Sequence, residues 1–219
     1  MLSFRLLGFP VRIEWMFWVL CVVLGMDYLE VPGPEGLGYF LIMTAVVLGS
    51  ILWHELGHAW ARKHYRAPWS EITLYGFGGL CSGPGPSGRG RFTRWESVAI
   101  AAAGPGASLI LGGLTWLLVF TPGIRDPWIA FFVGRMLWVN VGWAIFNLLP
   151  ILPLDGGHIF AGLLGPRHSM RVYQIGLVLA ILMAVAGLLL FQSLWMAVLF
   201  GLLAHGNWQR MQGRGSGVI

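Results

Sequence analysis

Charge is what this sequence has least of. Of its 219 residues only 11% are Asp, Glu, Lys or Arg, while 57% are hydrophobic. A soluble domain carries about 25% charged residues. This chain lacks the polar surface to cover itself, which excludes the ordinary soluble globular class. Cysteine is nearly absent too, with only Cys21 and Cys81. The first falls in an apolar run and the second in a loop, and neither belongs to a CxxC pair. A disulfide framework, a cysteine metal site and a dithiol redox centre are therefore excluded. The N-terminus lacks a small-residue cleavage site after a short apolar core, so Met1–Trp15 is expected to be mature sequence and not a removed leader. No internal repeat is present.

What the chain has in place of charge is long apolar runs. Six stand out: about 13–29, 37–64, 97–120, 128–149 with a broken continuation through 159–164, 172–191 and 194–208. Each approaches the roughly 20 residues that a helix needs to cross a bilayer. The expected fold is an all-α multi-pass membrane protein of about six transmembrane helices, a single membrane-embedded domain over 1–219. Its core is expected at about 37–165, with flanking spans at 13–29, 172–191 and 194–208. The 32 glycines and 12 tryptophans agree, since Gly is common in spanning helices and Trp gathers at the interfaces.

The net charge of +5 does not point to nucleic acid, because the basic residues lie in short loops between apolar runs. With the N-terminus placed in the cytoplasm, Arg5, Arg12, Arg62, Lys63, Arg66, Arg89, Arg91, Arg94, Arg167, Arg171, Arg210 and Arg214 fall on the cytoplasmic side. Only Arg125 falls outside, with Asp27, Glu30, Glu35 and Asp126, and Arg135 falls within a span. This asymmetry predicts an even number of spans with both termini cytoplasmic. A prokaryotic plasma membrane is the expected location.

The longest connection, about 65–96, carries two kinds of sequence. Ser70–Phe77 has β-branched and aromatic content with loose alternation, which predicts one short strand. The Gly- and Pro-rich stretch 78–92 is expected to be irregular. The loop reads either as a plain basic connection or as an edge strand. In the second reading Ile72, Thr73 and Leu74 accept an extended substrate by backbone pairing.

His54-Glu55-Leu56-Gly57-His58 is an HExxH sequence. Residues i and i+4 share a helix face, so both imidazoles can reach one ion. Glu55 is offset but near enough to take a proton from water there, which is the metalloprotease arrangement. Ionisable residues in a spanning helix are costly, and a divalent cation compensates three of them within five positions. A catalytic zinc takes three protein ligands. His64 is a weak third candidate: a continued helix carries it about 240° around from His58, and Ala61 stands where a chain-reversing glycine would be needed. The better candidate is Asp155, within Asn147-Leu-Leu-Pro-Ile-Leu-Pro-Leu-Asp155-Gly-Gly-His158. Pro150 and Pro153 interrupt the helix, and broken backbone at membrane depth is tolerated only in protein or beside water.

HELGH in an early span, Gly104-Pro105-Gly106 in a middle one and NLLPILPLDGG in a later one occur in that order over about 45–165. Together they resemble the site-2 protease family of intramembrane zinc metalloproteases, in a compact form without room for a PDZ or CBS domain. The resemblance implies one Zn2+ per chain held by His54, His58 and Asp155, with Glu55 as general base. It also implies that Asn147 holds the substrate or the developing oxyanion. The implied substrate is a membrane-spanning protein, cut within or near its transmembrane segment. Ser108 stands where family members often have Asn after the Gly-Pro pair, and it is given no polar role. His158 is read as a hydrogen-bond partner beside the metal site or an interface residue, His205 as a helix-end histidine, and Arg135 as snorkelling or paired. Two rival classes stay open: a non-catalytic scaffold that binds substrate helices, which Glu55→Gln would separate from a protease, and a metal transporter. The transporter reading would need polar residues spread along several spans.

Overall fold

The computed structural model describes residues 1–119 and 126–214. Arg125, and Phe120 at the end of the third apolar run, lie outside them. Among the described residues four strands and seven α-helices follow in the order β1 (Leu2–Leu6), β2 (Phe9–Ile13), α1 (Trp15–Leu29), α2 (Pro34–His64), β3 (Glu71–Tyr75), β4 (Gly78–Ser82), α3 (Arg94–Val119), α4 (Pro127–Asn147), α5 (Asp155–Leu164), α6 (Ser169–Leu189) and α7 (Leu194–Met211), with a 3-10 turn at Pro166–His168 leading into α6. Each apolar run of the sequence holds a helix among the described residues. The spans α2, α3, α4 and the helical stretch Pro166–Leu189 are long and apolar enough to cross a bilayer. The shorter α1 has 15 residues, about 22 Å of helix against a hydrocarbon core of about 30 Å. The structure thus supports four candidate spans where six were expected.

The sheet corrects the sequence reading in three places. The N-terminal residues form the β1–β2 hairpin, and Ile13, expected to begin a span, ends β2. The glycine-rich stretch expected to be irregular contains β4. The strand order is β1-β2-β3-β4, with β3 parallel to β2 and antiparallel to β4. Ile72 pairs with Val11 and Cys81, Thr73 with Arg12 and Leu80, and Leu74 with Ile13 and Gly79. The expected substrate strand at Ile72, Thr73 and Leu74 is therefore central. Its backbone groups are already used on both sides, and Ile72 and Leu74 are fully buried. The edges are β1 and β4.

The contacts divide the chain into two compact units, residues 1–92 with 103–145, and residues 93–102 with 146–219. In the first unit α2 is the centre. Pro34 and Glu35 open it, and Arg62, Lys63 and His64 close it, complementing the helix dipole at both ends. Its 31 residues make about 46 Å of helix, so the helix outruns the hydrocarbon layer. Gly57 lets α3 approach: a Cβ there would meet the Ala103 carbonyl oxygen at 2.5 Å. Trp53 Nε1 donates to the Ala107 oxygen at 2.9 Å. From α4, Asn140 Nδ2 donates to Ser50 Oγ at 2.9 Å, and both residues are fully buried. Small residues and buried polar bonds of this kind dock helices where burial from water cannot.

In the second unit Ile151, Ala180, Phe200 and Ala204 form one core cluster, and Leu152, Ala161 and Val172 another. Arg94, at the start of α3, donates to the carbonyls of Gly162 and Leu163 and so satisfies the last turn of α5.

Candidate metal centre

Ser50 and His54 are one turn apart on α2, and His58 follows one turn later, so all three lie along one stripe. His54, Glu55 and His58 are buried, and a ligand atom from each lies within 4.8 Å of the others. Among the described residues they form the one group of three or more such side chains. The two imidazoles meet edge to face, with Nε2 of His54 3.2 Å from Nε2 of His58.

That spacing fits an ion. Two nitrogens on a tetrahedral zinc at about 2.0–2.1 Å stand about 3.3–3.4 Å apart. The surroundings fit as well. A Cβ on Gly104 would fall 2.2 Å from His58 Nε2 and 2.7 Å from His54 Nε2. The two nitrogens therefore face a backbone position of α3 that carries no side chain. The glycine serves both close helix packing and an open space in front of the donor atoms.

Ser108 was missed by sequence reasoning. Its hydroxyl is fully buried, one turn beyond Gly104 on α3, and lies 3.1 Å from His54 Nδ1. With the Nδ1 hydrogen donated to Ser108 Oγ, the Nε2 lone pair is left facing the open space. The only sequence signal was a serine four residues after the glycine, on the same helix face.

Glu55 is only 4% exposed. It is covered by β4, because a Cβ on Gly79 would fall 2.5 Å from its Oε1. The carboxylate is felt across the hairpin. Burial first, then Glu55 and Glu14, push the Tyr75 phenol above its usual range. Burial, then Glu55, push the Cys81 thiol up to about 12, against the smaller opposing effects of Arg62 and a Ser70 hydrogen bond. Arg62, at the end of α2, ties this hairpin down by donating to Ser70 Oγ and the Pro84 oxygen, both at 3.0 Å.

Asn147 and Asp155 belong to the second unit. Asn147 is the last residue of α4 and Asp155 the first of α5, and both are half-buried. The backbone between them folds back tightly. A Cβ on Gly156 would meet the Leu148 oxygen at 2.1 Å, and one on Gly157 would meet Leu152 N at 2.6 Å. Gly-Gly after the acid is thus a packing requirement of this turn. The other polar residues are accounted for locally. His64 is exposed and stacks edge-on with Tyr65, and His158 is exposed on α5. His205 bonds Gln209 one turn on, and Arg135 lies over the Phe131 ring at 5.4 Å.

Comparison with known proteins adds a third line to the motif and the geometry. A family model described as peptidase family M50 matches residues 42–125 and 124–191. Two relatives bear the name "Putative zinc metalloprotease". One, from Synechocystis sp., is 36% identical over 164 residues, 70% of this chain and 41% of that protein. The other, from Mycobacterium tuberculosis, is 32% identical over 179 residues, 77% of this chain and 44% of that protein. The chain therefore spans less than half the length of these relatives. Its fold is similar to that of a site-2 protease from Methanocaldococcus jannaschii, with a TM-score of 0.68 and 23% identity over 96% of this chain and 94% of that one.

Proposed function

We propose, from the premise that this chain belongs to peptidase family M50, that it is a zinc metalloprotease cutting membrane-spanning proteins within or near their transmembrane segments. The observation that carries the reading is the pair of imidazole Nε2 atoms 3.2 Å apart, facing the bare backbone of Gly104. His54 and His58 hold the zinc, with Asp155 as the third ligand. The assignment of Asp155 rests on the order of the motifs and the acid's place in a helix break. One ion per chain, when bound, would supply a Lewis acid to acidify water and polarise the scissile carbonyl.

The chain's own residues do the rest. Glu55, one residue from His54 and screened by Gly79, accepts the proton of the attacking water and later returns it to the leaving amine. Ser108 holds His54 in the tautomer with its Nε2 lone pair forward. Asn147 donates to the carbonyl oxygen as negative charge develops there. A substrate segment must leave its helix to be cut, since a helical carbonyl is already hydrogen-bonded. The extended segment pairs with β4, the sheet edge beside Glu55, rather than with Ile72–Leu74 of the central strand. Helix-weakening residues near the cut favour that unwinding.

The proposed setting is a prokaryotic plasma membrane, with six helices in or across the bilayer, both ends cytoplasmic and the metal centre towards the cytoplasmic face. The test is metal content and cleavage of a panel of spanning segments by the detergent-purified chain. Wild type is expected to hold close to one zinc and to cut. Glu55→Gln is expected to keep the zinc and lose cleavage, and His58→Ala and Asp155→Ala to lose both. Cleavage that survives in Glu55→Gln would overturn the reading.

A further inference from the structure

The break before α5 leaves a backbone carbonyl to be satisfied in the interior. Leu152 is fully buried and precedes Pro153, and a buried carbonyl at membrane depth needs a donor. The donor comes from α7: Asn207 Nδ2 donates to the Leu152 oxygen at 2.8 Å and to the Leu203 oxygen, one turn back on its own helix, at 2.8 Å. Asn207 is itself fully buried. Both amide hydrogens are used on carbonyls, so the side chain cannot be turned over without setting oxygen against oxygen. Its Oδ1 has no hydrogen-bond partner among the described residues. It points at Gly176 of α6, where a Cβ would fall 2.8 Å from it.

A fully buried polar side chain with one atom unsatisfied is expensive to keep for packing alone. What it holds is the segment three residues before Asp155. The same segment is tied locally, since Leu154 N donates to the Ile151 oxygen at 2.9 Å and Gly157 leaves no room for a Cβ beside Leu152 N. Asn207 lies beyond residue 191, where the match to the family model ends.

We infer that Asn207 is a positioning residue for Asp155, and that α7 is through it a working part of the metal centre. The inference rests on the reading of Asp155 as the third ligand. Asn207 acts by anchoring the Leu152 carbonyl, so its loss lets the carboxylate drift from its place.

The experiment is zinc affinity of the full detergent-purified chain, by competition with a chromogenic chelator, alongside thermal midpoints. Asn207→Ser is the first variant, because a serine hydroxyl still reaches the i−4 carbonyl of Leu203 but not Leu152. Gly176→Ala is the second, pushing the amide from its other side. Phe200→Leu, in the same helix and core, is the control for general loosening. The expected result is zinc binding weakened about tenfold or more in both variants, and within about twofold of wild type in the control. In an Asp155→Ala background, Asn207→Ser is expected to add nothing. Unchanged affinity in Asp155→Ala alone would remove the ligand reading, and this inference with it. A loss in Asp155→Ala without a loss in Asn207→Ser would overturn the positioning role only. So would a loss of equal size in Phe200→Leu.

Discussion

At the scale of single residues the centre is bounded by two glycines, and a methyl group probes each. In Gly104→Ala the new Cβ would sit 2.2 Å from His58 Nε2, closer than any real contact. Rigid α3 backbone carries that Cβ, so the imidazoles must yield. Zinc affinity is expected to fall about a hundredfold or more by chelator competition. Gly79→Ala places its methyl 2.5 Å from Glu55 Oε1 instead. That variant is expected to keep its zinc and lose turnover, with kcat falling more than KM rises. Equal zinc loss in the two variants would show that the strand and the helix do not divide the work. Ser108→Ala leaves His54 Nδ1 without its 3.1 Å partner. A tenfold weaker zinc affinity is expected, about 1.4 kcal/mol, restored in part by Ser108→Thr. An alanine variant binding as tightly as wild type would remove the orienting role.

At the scale of elements, the β3–β4 hairpin covers Glu55 and is held by Arg62. Its thiol reports on that cover. Burial and the neighbouring carboxylate put the Cys81 pKa at about 12, and the thiolate is the reactive form. Below that pKa the group stays neutral, so at pH 8 little thiolate is present. With Cys21 replaced by serine, Cys81 is expected to react with maleimide at least about tenfold more slowly than a free thiol at pH 8. The reaction should become fast on unfolding. Rapid labelling of the native protein would mean that the hairpin opens readily. The hairpin also shows why sequence reading stopped short here. Gly78–Ser82 reads as a glycine-rich connection because its glycines are placed for neighbours, Gly78 against Trp143 and Gly79 against Glu55. Those neighbours are distant in sequence, and local strand propensity carries no trace of them.

At the scale of the whole molecule, the distribution of basic residues makes a topological prediction. In a variant lacking native cysteines, a single cysteine at Ser87 is expected to react with an impermeant maleimide only after cells are opened. One at Glu30 is expected to react in intact cells. The opposite pattern would reverse the orientation derived from charge. His54, Glu55 and His58 lie beyond the middle of α2, whose 31 residues exceed the thickness of the hydrocarbon, and on the proposed reading that helix length sets the site towards one face.

The sequence by itself determined the membrane class, the helical runs and the HExxH pair. Each is a local property: composition over about 20 residues sets a span, and spacing of four on a helix aligns two imidazoles. It also marked Asp155 by the prolines and glycines around it, since broken helix is conspicuous in apolar sequence, while Asn147 came from the family resemblance alone. Only the tertiary structure decided that β3 is central and β4 an edge, that Ser108 faces His54, that Gly104 stands bare before two nitrogens, and that Asn207 holds the Leu152 carbonyl. Each of these is a meeting of residues that lie on different elements of the fold. A short polar residue in an apolar helix shows that it needs a partner, and only the packing of the helices shows which partner it has.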